Sequence, residues 1–73
     1  MTARVWSFSK KEFVPIEVQA GDEVEWKRQG EMDTRHAVIV GFGMQRVRLA
    51  LGMRVVSVKP VFAGVWRNGV RLP

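Results

Sequence analysis

The chain has no cysteine and no tyrosine, and its only histidine is His36. Without cysteine there is neither a disulfide framework nor a thiolate metal site. A metal would need His36 joined by carboxylates, and no spacing in the sequence offers such a set. No apolar run approaches the roughly 20 residues of a membrane helix. The opening residues Met1–Trp6 lack the apolar segment of a signal peptide, so a cytoplasmic protein is expected. Acidic residues are missing from the second half altogether, Asp33 being the last.

What is present is one small domain, residues 1–73, with 47% apolar residues and a net charge of +5. That apolar share is ordinary and argues against disorder. A domain of this length buries only about 60% of its unfolded surface. With disulfides excluded, stability must come from a dense core or from self-association. Seven aromatics are spread along the chain: Trp6, Phe8, Phe13, Trp26, Phe42, Phe62 and Trp66. The expectation is that five or more of them are core.

The dominant pattern has period two. Residues 4–8 read as a first strand. Val14, Ile16 and Val18 alternate with Pro15, Glu17 and Gln19 as a second, which Pro15 confines to an edge or a bulge. Residues 20–22 form a turn, and Glu23–Arg28 is the cleanest alternation, with Val24 and Trp26 inward. A polar loop spans residues 29–34. Residues 36–42 are apolar at successive positions, as in a central strand buried on both faces. Residues 55–58 form a further strand. Asn68-Gly69 is a two-residue hairpin turn, which sets Arg67 against Val70 and puts Trp66 and Arg71 on one face. Residues 44–51 fit a strand, or alternatively a short helix stopped by Gly52. The fold class is therefore mostly β: a small five- or six-stranded barrel, SH3-like or OB-like. The alternative is α+β with a helix at 44–51.

Three short stretches resemble known families. Residues 13–26, Phe-Val-Pro-Ile-Glu-Val-Gln-Ala-Gly-Asp-Glu-Val-Glu-Trp, resemble the early strands of a cupredoxin, which implies strand–turn–strand geometry. His36 then stands where a first copper ligand would follow, but the cysteine and second histidine of a blue-copper site are absent. Residues 36–52 look like the strand, glycine loop and helix of a Rossmann unit, through Gly41-x-Gly43. Arg46 occupies the third glycine position, and no downstream acid could hold a ribose. Neither copper nor a dinucleotide is expected, and no other cofactor. The Gly21-Asp22-x-Val24 turn is similar to turns in KOW-type ribosomal and transcription modules.

Catalytic sets are thin. His36 opens an apolar strand and reads as a partly buried, hydrogen-bonded residue. Ser7, Ser9 and Ser57 have no histidine-and-acid partners at any suggestive spacing. An enzyme is not expected.

Charge is the most informative feature. Residues 1–34 hold 5 basic and 7 acidic groups; residues 35–73 hold seven basic groups and no acid. Six of those seven are arginine, whose planar fork suits phosphate. The expected function is a non-enzymatic binding module for nucleic acid, DNA or RNA. Its contact residues would be Arg46, Arg48, Arg54, Lys59, Trp66, Arg67 and Arg71. One alternative is a protein-interaction or self-assembling module that sets an acidic face (12–33) against a basic one (35–73), or docks on an acidic partner surface. Another is that acidic and basic strands neutralise one another inside the fold, with Glu23 and Glu25 beside Arg46 and Arg48.

Overall fold

Alternation of apolar and polar residues carries through to the structure, a computed structural model that describes residues 1–28 and 30–72. Gln29, where the polar loop was expected to begin, and Pro73 lie outside the described residues. Among these the chain forms nine strands and no helix: β1 Thr2–Ser7, β2 Glu12–Glu17, β3 Glu23–Lys27, β4 Thr34–Gly43, β5 Arg46–Leu51, β6 Arg54–Val58, β7 Val61–Phe62, β8 Gly64–Arg67 and β9 Val70–Arg71. The ambiguous segment 44–51 is a tight turn followed by a strand.

The strands make two sheets, ordered β2-β1-β7 and β6-β5-β4-β3-β8-β9. One residue, Ala63, separates β7 from β8, so the chain passes from one sheet to the other there. The expected closed barrel does not form: β2 and β6 both end as free edges. Beyond Val58 the chain turns through Lys59 and Pro60 and supplies β7, which pairs parallel with β1. Pro60 has no amide to extend a ladder, though its carbonyl accepts from the Arg4 amide at 2.8 Å. Pro15 sits on the edge strand β2, opposite Arg4, where its missing donor faces no partner strand.

The core is aliphatic. Val5, Val24, Ile39, Val47, Leu49 and Val65 are fully buried, and of the seven aromatics only Phe62 joins them. Phe8 is 70% exposed and Phe13 46%, and the remaining four are half-buried. The expectation of an aromatic core is thus overturned. Two thin sheets close over β-branched side chains, and the large rings are displaced to the rim.

β4 lies between β3 and β5, as a central strand should, but only one of its faces is covered. Ala37 and Ile39 point into the core, whereas Val38 and Val40 are exposed on the outer face. The apolar run 36–42 therefore reflects sheet propensity rather than two-sided burial. His36 is likewise on the outer face, with its side chain 69% exposed. Because β4 intervenes, Glu23 and Glu25 of β3 do not pair beside Arg46 and Arg48 of β5.

One buried charge ties the two sheets together. Asp22 is 1% exposed. Its carboxylate takes two hydrogen bonds from Arg67, Nε and Nη2 each at 2.9 Å, and one from the Gln19 amide at 3.0 Å. Arg67 Nη2 also donates to the Glu17 carbonyl at the end of β2, at 3.3 Å. The clamp therefore joins β2, the 19–22 turn and β8. The Arg67 hydrogen bonds hold the Asp22 carboxyl below its ordinary pKa, and the same pair raises that of Arg67. Beside it, the Thr2 hydroxyl and the N-terminal ammonium lower the pKa of Glu17.

Replacing Asp22 by Ala should cost about 2 kcal/mol, because a buried amide and a guanidinium lose their acceptor. That is a large part of the roughly 4–11 kcal/mol expected of a domain this long. A carboxylate with a depressed folded-state pKa gives stability that is complete above its unfolded pKa and disappears as pH falls through the folded value. Urea unfolding from pH 7 down to pH 2 should show stability declining below about pH 4, with a shallower decline in Asp22→Asn.

Candidate nucleic-acid interface

The clamp stands at the end of the sheets where β2 finishes and β3 begins. At the other end, about 15 Å away along β3, the two sheets part and leave a cavity of about 630 Å³. Its size falls within the range of small-molecule sites. The small sheet contributes Trp6, Phe13, Val61 and Phe62; β5, β6 and the following turn contribute Arg46, Ser57, Val58 and Lys59; Trp26, Lys27, Thr34 and Ala63 complete the lining. This is the seam at which a closed barrel would have joined its edges.

Strand register explains the rings here. Trp6 and Phe13 are cross-strand partners on β1 and β2, packed edge to face with centroids 5.2 Å apart. Trp26 shares its face of β3 with the buried Val24 but sits two residues nearer the open end, where it is half-buried against the margin of the core. Arg46 is fixed at the free edge of β6: its Nε donates to Ser57 Oγ at 3.3 Å and its Nη2 to the Ser57 carbonyl at 3.1 Å. Lys59 is exposed in the turn after β6.

A second, smaller cavity of about 200 Å³ adjoins the first and shares Trp26, Ser57 and Val58 with it. Leu51 and Val56 provide its apolar part, and Arg28, Arg35 and Arg54 its charge. The two cavities together gather six cations around Trp26, with no carboxylate among their lining residues. Of the six, Arg35 is engaged by Glu31 through two hydrogen bonds of 3.0 and 3.1 Å. Chemically, the arrangement offers rings for stacking and guanidinium or ammonium groups for anions, with apolar walls between them.

The residues expected from the sequence divide into three groups. Arg46, Arg54 and Lys59 line the two cavities. Arg67 is committed to Asp22, so its charge is spent within the fold. Arg48, Trp66 and Arg71 lie away from the seam. Arg48 packs across Gly43. Arg71 faces Trp66 across the terminal hairpin, as its register requires, with its guanidinium 5.2 Å from that ring and 5.0 Å from the Phe8 ring. It also donates to the Ala63 carbonyl at 2.9 Å. His36 stacks on Trp66 at 5.9 Å, and its Nε2 is 3.7 Å from Glu25. This row of rings braces the outer face.

Sequence reading missed Trp6, Phe13, Trp26, Lys27, Arg28 and Arg35. The available signal was that Lys27 and Arg28 directly follow the inward-facing Trp26, so their charge lies where the strand leaves the core. The acids do not form a single opposing face. Glu17, Asp22 and Glu31 are each engaged by a neighbouring cation and Glu25 lies 3.7 Å from His36 Nε2; the four stand on β2, on β3 and in the turns before and after β3. No family model matches this chain, and neither does any curated protein or solved structure.

Gly64 lies beneath the Trp66 ring. A Cβ there would come within 2.6 Å of the ring and 2.7 Å of Arg71 Nη1. Gly64→Ala should therefore lift the ring and open the Arg71 contact at a cost of about 1 kcal/mol. Chemical denaturation and Trp66 fluorescence would register the change, while the seam on the other side of the sheet stays as it was.

Proposed function

We propose that this protein is a non-enzymatic module that binds nucleic acid at the open seam. The observation that supports this reading is the gathering of six cations, Arg35 among them already paired with Glu31, and three half-exposed rings around two adjoining cavities that no carboxylate lines. Phosphates would be met by Lys27, Arg28, Arg46, Arg54 and Lys59, and bases by Trp6, Phe13 and Trp26. The net charge of +5 favours approach to a polyanion. A cytoplasmic setting belongs to the same reading. Among the described residues no helix is long and apolar enough to cross a membrane.

The second reading, a protein-interaction or self-assembling module, draws on a different surface. The outer face exposes Val38, Val40 and Val55, the last at 63%. Sedimentation across micromolar concentrations tests its self-assembling form: a dimer that dissociates on Val55→Lys would favour self-assembly, whereas a strict monomer would exclude that form.

Fluorescence anisotropy with labelled oligonucleotides tests the first reading. Binding should weaken steeply with salt, with log K falling against log salt at a slope of about −3.5 to −4.5 if five phosphates are neutralised. Arg54→Glu and Lys59→Glu should each weaken binding at least tenfold. Arg48→Glu, on a surface away from the seam, should change it by less than threefold. Affinity insensitive to salt, or equal losses at all three positions, would contradict the proposal.

A further inference from the structure

We infer that the seam takes a single strand rather than a duplex, with bases against the rings of the larger cavity and backbone phosphates on the cations that border both cavities; this rests on the nucleic-acid reading above. The argument starts from where the rings stand. Trp26 stands on the core-facing side of β3, half-buried in the larger cavity, and Trp6, on the face of β1 opposite the buried Ala3 and Val5, is half-buried against Phe13 at the cavity's rim. A duplex keeps its bases stacked inside and presents only edges and phosphates, so it cannot fill a recessed aromatic cavity. An unpaired base can enter it and stack.

The distribution of charge agrees. Cations on a flat or convex face would suit the backbone of a duplex, but here the exposed face of the large sheet carries valines and carboxylates among its arginines. The arginines that converge are those around Trp26. Apolar walls supplied by Val58, Val61 and Phe62 would be of no use to a phosphate track alone; they suit a base and its sugar.

Trp26 lines both cavities, which sets the polarity of the site. One face of the site offers Trp6 and Phe13 for stacking, and the other offers Arg28 and Arg54 to the phosphates that flank the stacked base. A path two cavities long would hold only a few nucleotides, near the short end of the roughly 4–16 that a single OB fold covers.

The experiment uses the full chain carrying Trp66→Phe, so that Trp6 and Trp26 are the only indoles. Oligothymidylates of two to twelve nucleotides, a duplex of twelve base pairs and poly-glutamate are titrated at fixed salt. Single strands should quench the fluorescence, gain affinity up to about four nucleotides and bind at least tenfold tighter than the duplex. Phe13→Ala, half-exposed and outside the core, should weaken the single strand roughly fivefold or more; Trp26→Ala should do so by ten- to hundredfold if it folds. Equal or tighter duplex binding overturns the strand preference and leaves nucleic-acid binding standing. Single-strand binding without quenching, and indifferent to Phe13→Ala, overturns the placement in the seam. Equal binding of poly-glutamate makes the seam a site for acidic peptide and overturns the inference. No binding by either nucleic acid overturns both this inference and the reading it rests on.

Discussion

The Asp22–Arg67 pair is the interaction on which this architecture turns. An unpaired carboxylate at that depth would be prohibitive, and a lone hydrogen bond would not fix the angle between two sheets. The bidentate fork of Arg67, with its further bond to the Glu17 carbonyl, does both. It fastens β2, the following turn and β8 at one end. The chain itself crosses between the sheets through residues 18–22, 59–60 and Ala63, the last being the shortest connection. With one end fastened, the right-handed twist of the strands carries the two sheets apart toward the other.

That divergence accounts for the position of the rings. A core of Val, Ile, Leu and Ala is thin enough for two sheets that touch along one edge. Indole groups do not fit within it, so Trp6 and Trp26 stand where the sheets separate and Trp66 lies on the outer face. An exposed aromatic rim costs solubility unless charge surrounds it, and here Lys27, Arg28, Arg46, Arg54 and Lys59 do so. The same geometry leaves β2 and β6 as unpaired edges. Pro15 on β2, and Arg46 folded over the β6 edge onto the Ser57 carbonyl, both discourage pairing with another copy. The features that keep the molecule from aggregating thus stand beside the features suited to a polyanion.

Much of the local structure was legible in the sequence. Asn68-Gly69 gave the terminal hairpin with its register and its Trp66–Arg71 contact, because a two-residue turn with positive φ at both positions, 54° and 79°, admits little else. Pro15 marked an edge strand for want of a donor. What period-two alternation cannot tell is whether an inward position lies under the second sheet or beyond its margin. Val24 and Trp26 have the same parity, yet one is core and the other lines the seam. Val38 and Val40 are a different case: they have the outward parity, and a run apolar at successive positions does not reveal that no second layer covers that face. Arg67 was indistinguishable from its neighbours as a free cation, since its partner lies 45 residues away at Asp22. Charge counting located the basic half but not its convergence, to which Lys27 and Arg28 come from the acid-rich half.

The central claim is that the seam, and not the braced outer face, is where a nucleic acid binds. The three tryptophans divide between these surfaces, so their indole Nε1–H resonances report on each separately. In a 1H–15N correlation spectrum titrated with a short oligothymidylate, the Trp6 and Trp26 indole signals should shift together while that of Trp66 stays in place. A shift confined to Trp66, or three signals unmoved at saturating oligonucleotide, would contradict the account.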